Sequence, residues 1–274
     1  MILHKLPPFQ NVLATGTAVM PFVHQGQTVV GIILKRSGTF TTAMLASIRL
    51  RLDGKQFFDI TGTHLENINS YEEYGISTAT FNWIPFADLK ALTQRGQSLG
   101  AIDTSIAGMK PMEMEVDIAG ATAPVLEAWV VLSPPKANDD PNKATIRALL
   151  KATHAISAAG EYEQPLPLGS RLGALINRVY AFSTVITKIQ VAKDGLWLLQ
   201  EGEIALNSFM QGLGNRTAVT NLTVFDPTFN DAVTDSIATL RPDGSPATFS
   251  WKFTVSGSGT IVTYSSLLTR ISNV

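Results

Sequence analysis

Residues 48–58, IRLRLDGKQFF, alternate apolar and basic side chains and then turn on an Asp-Gly pair. Ile48, Leu50 and Leu52 fall on one face of an extended segment, Arg49 and Arg51 on the other. A period of two predicts a strand with one buried face, and Asp-Gly favours a two-residue hairpin turn. The chain repeats this later: Ile189 and Val191 alternate with Lys188 and Gln190, and IQVAKDGLWLL (189–199) turns on Asp194-Gly195. Asp53-Gly54 and Asp194-Gly195 are thus read as structural turns, 141 positions apart (194 − 53) in 274 residues.

The flanking patterns recur in the same order. THLENINSYEEYG (63–75) opens with Thr63 and Glu66 at capping-box spacing and closes on Gly75, predicting a short helix. GEIALNSFMQGLG (202–214) sets Leu206, Phe209, Met210 and Leu213 at helical spacing before Gly214, and Leu65 and Ile68 fall on Leu206 and Phe209 at the same offset. Upstream, GQTVVGIILKRSG (26–38) aligns with GSRLGALINRVYA (169–181), an offset of 143 (169 − 26). Downstream, EMEVDIAG (113–120) aligns with SWKFTVSG (250–257), an offset of 137 (250 − 113). Met114, Val116 and Ile118 are expected to face inward like Trp251, Phe253 and Val255. Each copy closes with one more strand, PVLEAWVVL (124–132) and TIVTYSSLL (260–268). One fold is written twice.

The expected organisation is a first domain over 1–134, a helix-containing linker over 135–160 and a second domain over 161–274. Pro134-Pro135 stops the preceding strand, Asp139 or Asp140 can cap a helix that Pro141 opens, and Ile146, Leu149, Leu150, Thr153 and Ile156 form one helical stripe. Lys143, Arg147, Lys151 and His154 lie beside it. Two more helices are expected, FADLKALTQRG (86–96) and, more weakly, TFNDAVTDS (228–236). Each copy then has about eight short strands with Gly/Pro turns and long excursions, which suits a jelly roll. The fold class is all-β with a few short helices: two eight-stranded antiparallel sandwiches or barrels in tandem, a double jelly roll.

Charged residues make up 16% of the chain against about 25% in ordinary domains, so much surface is expected to be neutral or covered by neighbours. Residues 1–137 carry 10 basic and 11 acidic side chains and residues 138–274 carry 11 of each, so direct nucleic-acid binding, which needs a basic surface, is not expected. There are no cysteines, hence no disulfides or thiolate sites. MILHKLPPFQ has no apolar signal-peptide region, and no apolar run reaches 18 residues. The Asn215 and Asn221 sequons have no meaning without a secretory route.

Candidate chemistry is sparse. GQSLG (96–100) matches a nucleophile elbow at Ser98, but a helix precedes it where a strand is required. His4, His24, His64 and His154 are isolated, which argues against a two-domain cupin. Asp226, Asp231 and Asp235 could supply oxygen ligands to Ca²⁺ but lack EF-hand spacing, so a solvated loop is preferred. Glu72-Glu73 and Glu201/Glu203 are read as surface charge. Arg49 and Arg51 form a basic ladder, and Glu113, Glu115 and Asp117 an acidic one; at least one is expected to contribute to a contact between subunits. The basic side of the linker helix is read as solvated. Trp129 and Trp251 sit in apolar alternations and are expected in the core. No catalytic group, cofactor or small-molecule substrate is expected.

The opening NVLATG (11–16) and GQT (26–28), then LDG (52–54), FNWIPFADLKAL (81–92) and EQPLPLG (163–169), resemble in order and spacing the double jelly-roll major capsid proteins of icosahedral bacteriophages with an internal membrane, most nearly the short corticovirus and finnlakevirus type. The resemblance covers nearly the whole chain. It implies two rolls side by side, a homotrimer with six similar edges, and a structural role in the outer virion shell after synthesis in the host cytoplasm. The partners it implies are neighbouring trimers, vertex or penton proteins, minor capsid or membrane proteins, and a nearby lipid membrane. A two-domain β-sandwich adhesin or carbohydrate-binding module is the alternative.

Overall fold

The computed structural model describes every residue except 23–25, 75–78, 107, 108, 110, 170–172, 215 and 274. His24, Gly75 and Asn215 lie outside the described residues. The chain divides into two units, Met1–Leu149 with Leu268–Val274, and Leu150–Leu267.

The first unit contains β1 (Ile2–Lys5), β2 (Gly16–Phe22), β3 (Thr28–Thr39), β4 (Leu45–Leu52), β5 (Lys55–Ile60), α1 (Gly62–Tyr71), β6 (Phe81–Pro85), α2 (Gln94–Ser98), β7 (Ile102–Asp103), β8 (Met112–Ile118), β9 (Thr122–Ser133) and the start of β10 (Thr145–Ile156). One sheet runs β1-β9-β3-β6, with β7 also on β3; the other runs β10-β5-β4-β8-β2. Leu149 of β10 stands parallel beside Phe58 of β5, joining that strand's outer edge at one pair.

The second unit contains the rest of β10, then β11 (Gly160–Glu163), β12 (Leu175–Phe182), β13 (Ile186–Lys193), β14 (Leu196–Glu203), α3 (Ile204–Leu213), β15 (Leu222–Phe225), β16 (Ile237–Ala238), β17 (Phe249–Val255) and most of β18 (Gly259–Arg270). Its sheets run β15-β12-β18-β10, with β16 on β12, and β11-β17-β13-β14.

The duplication is visible in the registers. Ile48 stands opposite Val116 and Leu50 opposite Met114; Ile189 stands opposite Phe253 and Val191 opposite Trp251. Both members of each pair are displaced by the offsets the sequence gives, 141 (189 − 48) and 137 (253 − 116). Gly16 opposes Ile118 and Gly160 opposes Val255, and the two glycines share a φ near the limit of what side chains tolerate, +152° and +150°. Met114, Val116, Ile118, Trp251, Phe253 and Val255 are all buried. Period-two burial thus builds each core: Met20, Ile32, Leu34, Ile48 and Val130 are buried in the first unit, and Ile176, Val179, Ile189 and Ile261 in the second. Each fully buried apolar side chain of this size stabilises by roughly 1.5–3 kcal/mol.

Four expectations are corrected. The linker contains no helix: residues 145–156 are β10. Thr145, Ile146, Thr153 and Ile156 are β-branched and favour strand, and Ile146–Leu149 are buried in succession, as on a strand covered on both faces. The apparent stripe arose because a continuous apolar run also satisfies helical spacing. Second, α1 is capped by Thr61, whose hydroxyl accepts from His64 N at 3.2 Å, not by Thr63. Gly62 fixes that start, because a Cβ there would lie 2.3 Å from the Thr42 carbonyl oxygen. Third, of the helix expected over 86–96 only the end is helical, in α2; Ala87 N instead donates to Val30 O, and Asp88 accepts from Lys90 N in a turn. Fourth, 228–236 holds only a 3₁₀ turn at Val233–Asp235.

Candidate assembly surface

Both Asp-Gly turns have left-handed backbone at each residue, with φ of +53° and +77° at Asp53-Gly54 and +50° and +81° at Asp194-Gly195. These values match the right-handed twist of a hairpin. Each hairpin leads into a helix, and the helices are anchored alike. Asn69 Nδ2 of α1 donates to Trp83 O at 2.7 Å; Asn207 Nδ2 of α3 donates to Val224 O, also at 2.7 Å. The strand offset is 141 (224 − 83), but the asparagine offset is 138 (207 − 69). The helices themselves, Gly62–Tyr71 and Ile204–Leu213, are offset by 142 (204 − 62), within one residue of the alignment of Leu65 with Leu206 and Ile68 with Phe209. The anchoring asparagine sits about one turn earlier along α3, and the aligned residues differ in burial.

Leu65, Ile68 and Tyr71 face inward on α1, beneath a polar outer side of Thr63, Glu66, Asn67 and Ser70. On α3 the buried positions are Asn207 and Gln211; Gln211 Nε2 donates to Asn207 Oδ1 at 2.6 Å, and Asn207 Oδ1 accepts from Val224 N at 3.2 Å. The apolar side points outward: Leu206 is 46% exposed, Phe209 63% and Leu213 61%. At the turn end of β14, Leu196, Trp197 and Leu198 are also exposed in succession, Leu196 by 74%. Among the described residues β14 pairs with β13 alone and ends its sheet, whereas β5, its counterpart, is bridged by β10 at Phe58–Leu149. The sequence signal for this surface was present: Asn207 and Gln211 at i, i+4 oppose the apolar stripe, but periodicity alone does not say which side faces in.

The charge ladders meet each other. Arg49 donates to Glu115 at 2.9 Å and to both oxygens of Asp117 at 2.7 and 2.8 Å; Arg51 donates to Glu115 at 3.1 Å. Partial burial opposes the Arg49 charge, but Asp117 and Glu115 outweigh it and raise its pKa. Glu113 stands opposite Arg51 in the register.

Asp226 and Asp231 are engaged by arginines. Asp226 Oδ2 accepts from buried Arg178 at 2.9 Å, with Arg216 at 3.6 Å, and its other oxygen accepts from Thr228 N and Oγ1. Asp231 accepts from Arg216 at 2.6 Å. Burial and Arg178 oppose the Arg216 charge, and the two carboxylates raise its pKa overall. Asp235 accepts from Asn230 at 3.1 Å. Among the described residues no three His, Asp or Glu side chains come together to hold a metal.

Glu72 and Glu73 separate: Glu72 is buried on Arg147 at 2.6 Å, and Glu73 pairs with Lys90 at 2.9 Å. Glu201 pairs with Lys188. The expected basic helix side does not exist, because Arg147 is buried and Lys143 donates to Asn138 at 2.7 Å. Ser98 ends α2 with its hydroxyl donating to Arg95 O. Trp251 is buried, but Trp129 is only half-buried, out of phase with Ala128 and Val130, with Lys5 and Lys35 over its ring. A cleft of about 650 Å³ is lined by Gln94, Arg95, Ser98, Lys136 and Asp140. Its Lys136 ammonium donates to the Leu99, Ala101, Asn142 and Thr145 carbonyls and so ties loops together.

What this architecture offers, then, is a doubled sandwich with a broad apolar surface, and the family models agree with the doubling. Residues 3–133 match the viral coat protein P2 N-terminal domain, and residues 146–270 match the viral coat protein P2 C-terminal domain. The chain belongs to the viral coat protein P2 family. Among solved structures, the coat protein is similar to the major capsid protein P2 from bacteriophage PM2, with a TM-score of 0.83 at 17% identity over 98% of this chain and 97% of that one. It is also similar to the STIV MCP (TM-score 0.66, 8% identity, 98% and 97% covered) and to PBCV-1 VP54 (0.60, 8%, 97% and 92%). These likenesses show the fold, a tandem double jelly roll. No curated protein matches the chain by sequence.

Proposed function

We propose that this coat protein is the major capsid protein of an icosahedral virion and assembles as homotrimers that tile the outer shell over an internal membrane. The observation that carries the reading is the duplication: three chains of two similar units give six similar edges, so a closed trimer can fill a nearly hexagonal position. The low charged fraction and the exposed apolar surface of the second unit support extensive burial between chains. Obligate interfaces of this kind bury roughly 2,000–5,000 Å². Neighbouring trimers, vertex proteins and minor capsid or membrane proteins are the partners of such a shell, and chemistry has no part in the role. Synthesis in the host cytoplasm belongs to the same reading. Electron microscopy of the purified assembly tests it: six-sided particles with threefold symmetry support it, and single two-lobed particles contradict it.

The ladders on β4 and β8 are proposed as a secondary contact between chains, with Glu113 and Glu115 at its acidic side. Charge reversal of both is expected to weaken assembly; assembly unchanged at equal protein concentration overturns that role. The adhesin alternative draws on exposed Trp197, but Leu196 and Leu198 flank it. An apolar strip of that kind suits a protein surface better than a hydroxyl-rich ligand.

A further inference from the structure

We infer that the outer side of α3 and the open edge strand β14 form a contact surface between copies of this chain. The inference rests on the self-assembling reading above and names the residues that carry it.

The first argument is the orientation of α3. A helix packed on a lone domain turns its apolar side inward, because burying apolar area is the main gain and burying amides is costly. α3 does the reverse: Asn207 and Gln211 are buried and hydrogen-bonded, while Leu206, Phe209, Met210 and Leu213 point out. Residues 204–213 contain no charged side chain. The second argument is the internal control supplied by the repeat. In the first unit β10 joins the equivalent hairpin edge at Leu149–Phe58, and the equivalent helix is polar outside. In the second unit the edge is open, and it lacks the Lys and Pro that usually protect one in its exposed apolar run, Leu196–Leu198. An exposed apolar helix side and an exposed apolar stretch of edge strand thus belong to one unit, and exposed apolar patches mark association surfaces.

The third argument concerns the occupant. The apolar side joins exposed Glu203 and the Lys188–Glu201 ion pair at the end of β14, a rim of both signs with no excess of basic side chains to draw an anionic lipid surface. An uncharged, aromatic-containing centre with a charged rim is the composition of an obligate protein interface. A coat protein meets copies of itself more than any other molecule, and the second copy is the occupant that fits.

The absence of cysteine allows a direct test. Phe209→Cys in the full chain gives one thiol on the surface, and Ala158→Cys gives an exposed control in a loop of the same unit. Maleimide labelling of Phe209→Cys is expected to be at least tenfold slower than that of the control in the assembled protein. In parallel, Phe209→Lys with Leu213→Lys is expected to reduce the light-scattering mass to that of one chain, 29.5 kDa, with an unchanged circular dichroism spectrum. Rapid labelling of Phe209→Cys in a protein that is still multimeric overturns this surface and leaves the assembly reading intact. A wild-type chain that is monomeric at every concentration overturns both. Protection that appears only with anionic lipid vesicles assigns the surface to a membrane and overturns the inference. Should the double lysine variant fail to fold, the labelling comparison still decides.

Discussion

Inside the first unit Glu72 meets Arg147 at 2.6 Å, with side chains 2% and 6% exposed. Removing one partner of such a pair leaves an uncompensated buried charge, which costs about 3–5 kcal/mol. Glu72→Gln is therefore expected to lower unfolding stability by that amount in urea titration; a change below about 1 kcal/mol would show that water reaches the arginine. Lys136 behaves differently. Burial pushes its pKa down to about 8, against Asp140 and Asp103. An unfolded lysine titrates near about 10.4, so between about pH 8 and 10.4 the unfolded chain holds a proton that the folded chain has released. The folded state therefore gains stability as pH rises through that window, and the charged form is the costly one below it. Urea midpoints from about pH 7.5 to 10 should rise more in wild type than in Lys136→Met; parallel changes contradict the assignment. Neither site was legible in the sequence. Glu72 reads as surface charge beside Glu73, and its partner lies 75 positions away (147 − 72), a distance no local pattern spans. The Asp-Gly turns were legible, because their backbone preference is set within two residues.

At the scale of elements, strands that bury one side announced themselves. β8 alternates buried and half-buried through all seven of its residues, and the sequence alternates with it. β10 did not, because its early residues are covered on both sides and the period vanishes. α3 was legible as a helix but not in its orientation. Its seat is the pair of hydrogen bonds between Asn207 and the Val224 backbone. Asn207→Ala leaves a buried N–H and a buried carbonyl without that partner, at about 1–3 kcal/mol each. The variant is expected to lose stability and to release α3 first, which hydrogen exchange over residues 204–213 would report as early loss of protection. Uniform exchange across the second unit would contradict a local seat.

For the whole molecule, the repeat carries most of the account. Offsets of 141 and 137, read from apolar periodicity, reappear in the strand registers of both units, so the tandem architecture is legible in the sequence. What the repeat conceals is the difference between its copies. One copy has its hairpin edge joined by β10 at Phe58 and carries a polar helix exterior; the other ends its sheet at the hairpin and turns an apolar side out. The proposed self-assembly covers the apolar side that the second copy leaves exposed. The measurement that tests this most directly is the solution mass of the purified protein by light scattering across a dilution series. The account predicts a mass of three times 29.5 kDa that resists dilution. A mass of one chain at every concentration would contradict it.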